Sequence, residues 1–183
     1  MAVPAHSPRL ALVFAACVLA CVPPPEGEAS AGSGESERDR AASGPKRKAS
    51  VPADGWNDDI AWRGFEEGLR EAKRDHRPVM MVVHTAWCPK CRALKQVFNE
   101  DAQVERLSER FVMVHVDQDQ TPEATLYAPD GQYIPRVMFL DSNGKLDPEL
   151  RNKDRKRFRY FYTPQEDLVA TMREALDRHG NES

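Results

Sequence analysis

The stretch Val79-Met80-Met81-Val82-Val83-His84-Thr85-Ala86-Trp87-Cys88-Pro89-Lys90-Cys91-Arg92-Ala93-Leu94-Lys95-Gln96-Val97-Phe98 decides the architecture. Its first five residues form a continuous apolar run rich in β-branched side chains, the pattern of a strand buried on both faces. Leu94, Val97 and Phe98 then recur at helical spacing, so the two cysteines sit at a strand-to-helix junction. Thiol–disulfide exchange needs a thiolate to attack and a second thiol to clear the mixed disulfide. A helix start supplies free N–H groups and the positive end of the dipole to Cys88, while Cys91 falls one turn inside. The expected nucleophile is therefore Cys88 and the resolving thiol Cys91. Pro89 stiffens the turn, Lys90 adds a cation that favours the thiolate, and Trp87 either shields the site or packs beside it.

Working outward, Ala61, Phe65, Leu69 and Ala72 recur at three- and four-residue intervals and predict a helix over Asp58 to Arg74, stopped by Pro78. Downstream, the pattern predicts a short helix around Val104 to Leu107 and a second buried strand over Phe111 to Val116. A loop containing Pro122, Pro129 and Asp130-Gly131 leads to a third strand, Arg136 to Leu140. Asp141-Ser142-Asn143-Gly144 is a hairpin signal leading to a fourth. Thr163-Pro164-Gln165-Glu166 reads as a capping box, and Leu168, Val169, Met172 and Leu176 mark one face of a last helix ending before Gly180. The expectation is an α/β fold with a central mixed sheet flanked by helices.

The first 53 residues read differently. After Arg9, Leu10 to Ala20 is an apolar run of 11 residues, too short for a membrane-spanning helix, which needs about 20. Followed by Cys21 and Val22-Pro23-Pro24-Pro25, it has the layout of an export signal. Val18-Leu19-Ala20-Cys21 resembles a bacterial lipobox, which implies a signal peptide over 1–20 and lipidation of Cys21; Phe14-Ala15-Ala16-Cys17 is a weaker rival, and an ordinary signal peptide stays open. Residues 21–53 are rich in Pro, Gly, Ser and charge, which predicts a flexible tether. The folded domain is expected over 54–180.

Of four cysteines, Cys17 and Cys21 fall in the amino-terminal segment, leaving only Cys88 and Cys91 for the domain. That argues against a disulfide-stapled scaffold and against a closed zinc site, which needs four protein ligands. A net charge of −3 gives no reason to expect nucleic acid. The basic runs Lys46-Arg47-Lys48 and Arg151 to Arg159 read as solvated charge, with docking to lipid or an acidic partner as the alternative. No cofactor is called for. Two other functional readings stay open: soft-metal binding, copper included, through the dithiol with Met80, Met81, His84 and His115 near it in sequence, or a binding module without turnover.

Trp-Cys-x-x-Cys after a buried strand, with Ile134-Pro135 immediately before a later one, resembles the thioredoxin superfamily. Within it, Gly55-Trp56-Asn57-Asp58-Asp59-Ile60-Ala61-Trp62, Ala128-Pro129-Asp130-Gly131-Gln132-Tyr133-Ile134-Pro135-Arg136 and Tyr160-Phe161-Tyr162 look like the anterior-gradient type, over about Asp54 to Gly180. The resemblance implies a thioredoxin-like fold, a cis Pro135 beside the dithiol, and an Ile134 backbone that pairs with an extended client strand. It implies protein thiols and disulfides as substrates, with a redox partner protein to reset the dithiol. It also exposes a difference. The buried acid that thioredoxins place six residues before the first active-site cysteine corresponds to Val82, and its usual lysine neighbour to Met113. His84, or water, is then a candidate acceptor of the Cys91 proton, with a His84 that merely caps the strand end as the favoured reading. The chain closes on His179-Gly180-Asn181-Glu182-Ser183, unlike a Lys-Asp-Glu-Leu retrieval signal. With the lipobox, this leads to the expectation of an exported bacterial protein of the cell envelope or periplasm, held to the membrane by a lipid anchor.

Overall fold

The computed structural model describes residues 47–180. The signal segment, Cys17, Cys21 and most of the tether lie outside the described residues.

In chain order the domain runs β1 (Trp62–Arg63), α1 (Phe65–Asp75), β2 (Val79–His84), α2 (Pro89–Glu100), α3 (Ala102–Ser108), β3 (Val112–Asp117), a 3-10 turn (Pro122–Leu126), β4 (Arg136–Leu140) and α4 (Leu168–His179). The sheet order is β1-β3-β2-β4. β3 is parallel to both β1 and β2, while β4 returns antiparallel along β2 with Val83 opposite Arg136. This is the mixed sheet expected from the sequence. Every residue of β2 is buried. On one face Met80 and Val82 join Leu94 and Phe98 of α2, Met113 of β3 and Leu168, Met172 and Leu176 of α4; on the other, Val79, Met81 and Val83 pack with Val114, Met138 and Ala72 of α1. Burial on both faces explains why this strand reads as an unbroken apolar run rather than an alternating one.

Three expectations are corrected. The first helix begins at Phe65 rather than Asp58, with Gly64 in extended conformation before it. Residues 57–60 form instead a turn held by Asn57, whose side chain accepts from the Asp59 N–H and whose carbonyl accepts from the Trp62 indole. Trp62 and Arg63 leave that turn as the edge strand β1, hidden in the sequence by the helical spacing around them. Second, the hairpin turn at Asp141 to Gly144 forms, but the strand expected after it shrinks to one bridge between Leu140 and Leu146. Third, α4 is capped by Asp167, whose carboxylate accepts from the Ala170 N–H. Glu166 does close onto the Thr163 N–H at 2.7 Å, so the predicted box exists but precedes the helix instead of starting it.

The last residues assigned to the tether are held by the domain. The Ser50 N–H donates to Trp62, Lys48 carbonyl accepts from Arg63, and Val51 and Ala53 pack on the core. Beneath them lies a buried ion cluster. Arg63 Nε is 2.5 Å from Glu71 and Arg77 is 3.6 Å from the same carboxylate. Burial, with Arg47 nearby, brings the Arg77 guanidinium down to about 10. Above this cluster α1 lies so near β3 that a Cβ on Gly68 would stand 2.3 Å from a Val114 methyl. Glycine is required there by space.

The basic run is fastened internally: Arg151 pairs with Glu149, Lys153 with Glu174, Arg155 with Glu166 and Arg159 with Asp130. Among the described residues no helix is long and apolar enough to cross a membrane.

Candidate active site

The dithiol stands where β2 gives way to α2. Cys88 is the N-cap of α2, and its sulfur accepts from the Cys91 N–H at 3.2 Å. Pro89 follows at the first helical position, where a missing N–H costs nothing. Both cysteines are reduced and buried, Cys88 at 4% exposure and Cys91 at 1%. Burial, the hydrogen bond with Cys88 and the neighbouring sulfur push the Cys91 thiol up to about 12, against a hydrogen bond from the Thr85 backbone and the charge of Lys95. Cys91 is thus held protonated inside the helix while Cys88 takes the cap position and its backbone donor. Lys90 is exposed on the first turn.

Trp87 is 65% exposed, and its indole N–H donates to Asp119 at 2.8 Å. The ring lies outside the core. At the end of the sheet where β2 runs out, just before β4, the Ile134–Pro135 peptide bond is cis, with Pro135 buried and Ile134 partly exposed. Tyr133 fixes the preceding turn by donating to Asp130 at 2.6 Å and accepting from the Tyr160 N–H at 2.9 Å. The structure thus brings Cys88, Cys91, Trp87 and the Ile134–Pro135 loop to one end of the sheet.

Behind the dithiol lies a buried polar pair. His84 Nε2 and His115 Nδ1 are 3.2 Å apart with their rings stacked, and His115 Nε2 lies 2.9 Å from the Pro52 carbonyl oxygen. Burial, the neighbouring His115 and Lys95 bring His84 down to about 4, and burial also lowers His115. Val82 and Met113, at the positions of the acid and lysine of thioredoxins, are apolar and fully buried. The soft-metal reading gains no ligand set: among the described residues no group of three or more His, Cys, Asp or Glu side chains gathers to hold an ion. Met80 and Met81 lie on opposite faces of β2, in different core clusters.

Two contributors were not legible beforehand. Arg136, fully buried directly after Pro135, donates to the carbonyls of Tyr127, Tyr133 and Ala124 and to Gln118 Oε1, tying the loops around the cis proline together. Its signal was a charge opening an otherwise apolar strand. Lys95, one turn beyond Cys91, donates to the Asp54 carbonyl and lies 5.3 Å over the Trp56 ring. The left-handed Asp54 and Gly55 aim their carbonyls at α2, where they accept from Lys95 and Asn99.

Residues 61–142 match a thioredoxin-like family model. The chain is 37% identical over 126 residues to anterior gradient protein 3 of Xenopus tropicalis, spanning 67% of this chain and 75% of that protein. It is 34% identical over 125 residues to the human anterior gradient protein 2 homolog, spanning 67% and 70%. Among solved structures, a disulphide isomerase from Xylella fastidiosa Temecula1 aligns with a TM-score of 0.38 and 25% identity over 63% of this chain and 81% of that one. A DsbH oxidoreductase aligns with a TM-score of 0.47 and 21% identity over 75% and 97%. On the strength of the sequence relatives, with the dithiol, cis proline and mixed sheet in place, the chain belongs to the anterior-gradient family of thioredoxin-like proteins.

Proposed function

We propose that the protein is a thiol–disulfide oxidoreductase that exchanges disulfides with client proteins through Cys88 and Cys91. The observation that carries this reading is the asymmetry of the two thiols: both are buried, but the Cys88 sulfur caps the helix and accepts a backbone N–H, while the Cys91 thiol one turn inside is pushed up to about 12. Cys88 attacks; Cys91 keeps its proton until the mixed disulfide is there to be resolved. The Ile134–Pro135 loop receives the client backbone, Trp87 covers the mixed disulfide, and Pro89 and Lys90 shape the turn. A redox partner protein resets the dithiol, and the direction of transfer follows from its potential against that of the compartment.

The test is trapping. Cys91→Ala accumulates reductant-sensitive, high-mass species on non-reducing gels after acid quenching, while Cys88→Ala accumulates few. Equal patterns for the two variants overturn the assignment.

The compartment belongs to the same reading. An export signal over 1–20 and a lipidated Cys21 place the domain on a tether in the bacterial envelope, joined to the membrane by acyl chains. Mass spectrometry of the membrane fraction reads the modified terminus directly; an unmodified mature form beginning elsewhere overturns it.

A further inference from the structure

The histidine pair behind the dithiol has only one way to share its hydrogens. The Pro52 carbonyl can only accept, so His115 Nε2, 2.9 Å away, carries a hydrogen. A neutral imidazole has one N–H, which leaves His115 Nδ1 bare and accepting. His84 Nε2, 3.2 Å from it, must therefore be the donor. The chain of inference ends on His84 Nδ1, a bare lone pair that is buried and without a hydrogen-bond partner among the described residues. Both rings are held neutral by burial, so this pattern persists at neutral pH.

That lone pair belongs to the residue immediately before one that hydrogen-bonds the resolving thiol. Thr85, next in the chain, hydrogen-bonds Cys91 through its backbone. Strand alternation puts His84 on the same face as Met80 and Val82, the face covered by α2. Its ring meets Trp56 edge-on at 5.3 Å, and Trp56 in turn packs on Phe98 of α2 and under Lys95. The register of β2 on β3 sets Val82 opposite His115 and His84 opposite Asp117. The polar pair therefore sits one alternation nearer the dithiol than the apolar pair Val82 and Met113.

We propose that His84 Nδ1 is the acceptor for the Cys91 thiol proton during resolution, and that His115, anchored on the Pro52 carbonyl, is the positioning residue that keeps His84 in the accepting tautomer. This rests on the exchange reading above. In the step, the Cys91 proton passes to His84, directly or through one water, as the Cys91 sulfur attacks the Cys88 sulfur. The Cys88–Cys91 bond forms while the bond from Cys88 to the client sulfur breaks. The client sulfur leaves with the bonding pair and takes a proton from the imidazolium or from solvent. The client is reduced and the dithiol oxidised, with no further reactant. Groups facing His84 are His115 and Asp117 from β3, Lys95 from α2 and Asp54 from the segment before β1. Lys95 opposes a stored charge on His84 and favours the Cys91 thiolate, so the proton is handed on rather than kept.

The reduced protein, mixed with excess dithiobis(nitrobenzoate), separates the two thiols in time. Cys88 releases a first thionitrobenzoate, and attack by Cys91 on the resulting mixed disulfide releases a second. His84→Gln slows the second release about a hundredfold at pH 7 and makes it rise steeply with pH, while the first changes by less than about twofold. His115→Leu slows the second release by a smaller factor, because His84 is then free to adopt either tautomer. Nitrogen-15 spectra of the wild-type imidazoles are a second, fold-independent reading, and the expected result is hydrogen on His84 Nε2 and none on Nδ1. Equal slowing of both releases, slowing of neither, or hydrogen on His84 Nδ1 overturns the proposal. A wild-type protein that releases no second thionitrobenzoate, or Cys91→Ala that traps no client, refutes the exchange reading instead.

Discussion

The domain buries two polar clusters, and they are built on opposite terms. At the edge of the sheet Glu71 takes Arg63 and Arg77, and the guanidinium groups also donate to the carbonyls of Lys48, Ala61, Glu109 and Phe111. Under the dithiol, two neutral rings share one hydrogen bond and a backbone carbonyl, leaving a lone pair over. A charged cluster with most of its donors spoken for is a fastening, because removing a member strands a buried ion. A neutral cluster with spare capacity adds less to stability and stays open to a proton. The contrast separates residues that hold the fold from those that serve the thiols.

Three experiments break or sharpen it. The largest effect is expected from Glu71→Ala, which leaves two guanidinium groups facing each other in the interior. A loss of about 3–5 kcal/mol in urea unfolding is expected, with both releases of thionitrobenzoate unchanged in the folded fraction. A stability unchanged within error would show that the cluster is no fastening. Acid comes next. The folded protein holds His84 at about 4 against a usual value of 6.5. Its neutral form is favoured by folding, so this contribution is complete above pH 6.5 and is lost as the pH falls toward 4. The expected loss from His84 is about 3 kcal/mol, read from urea midpoints across that range; His84→Gln removes this share of the slope and leaves the share of His115, which burial also lowers. The smallest effect separates an intermediate case. Arg136 is a buried cation whose acceptors are carbonyls and an amide, with no carboxylate among them. Arg136→Lys keeps the charge and loses the fork, at a cost of about 2 kcal/mol. It also weakens trapping by Cys91→Ala, because the cis-proline loop loses its tie; trapping at the original level would confine Arg136 to stability.

What the sequence disclosed follows from the range of the interactions involved. The dithiol at the strand-to-helix junction was legible because the change of period, the proline at the helix start and the cysteine spacing are all local. β1 was not, since two residues between a turn and a helix carry no period of their own, and Ala61 and Phe65 imitate a helix across them. The capping box at Thr163 was real chemistry one turn early; the Asp167 cap and the packing of Leu168 against the core set where α4 starts. The cis proline came through resemblance to a family. His84 was visible as a histidine near the thiols, but its tautomer depends on His115, 31 residues away, and on Pro52, which lies 63 residues before His115. In the sequence Pro52 belongs to the stretch with the composition of a tether. Arg136 and Lys95 likewise act through backbone carbonyls, which leave no trace in side-chain pattern.

Trp87 has a consequence of another kind. Of the three tryptophans in the chain, Trp56 and Trp62 are buried in the core, whereas Trp87 is 65% exposed and adjoins Cys88. Disulfides quench indole emission at short range, and aqueous quenchers such as iodide reach only exposed rings. The fraction of emission that iodide removes therefore belongs to Trp87, and that fraction dims when the neighbouring sulfurs join. The protein carries its own optical gauge of oxidation state, usable without labels and silent to the core.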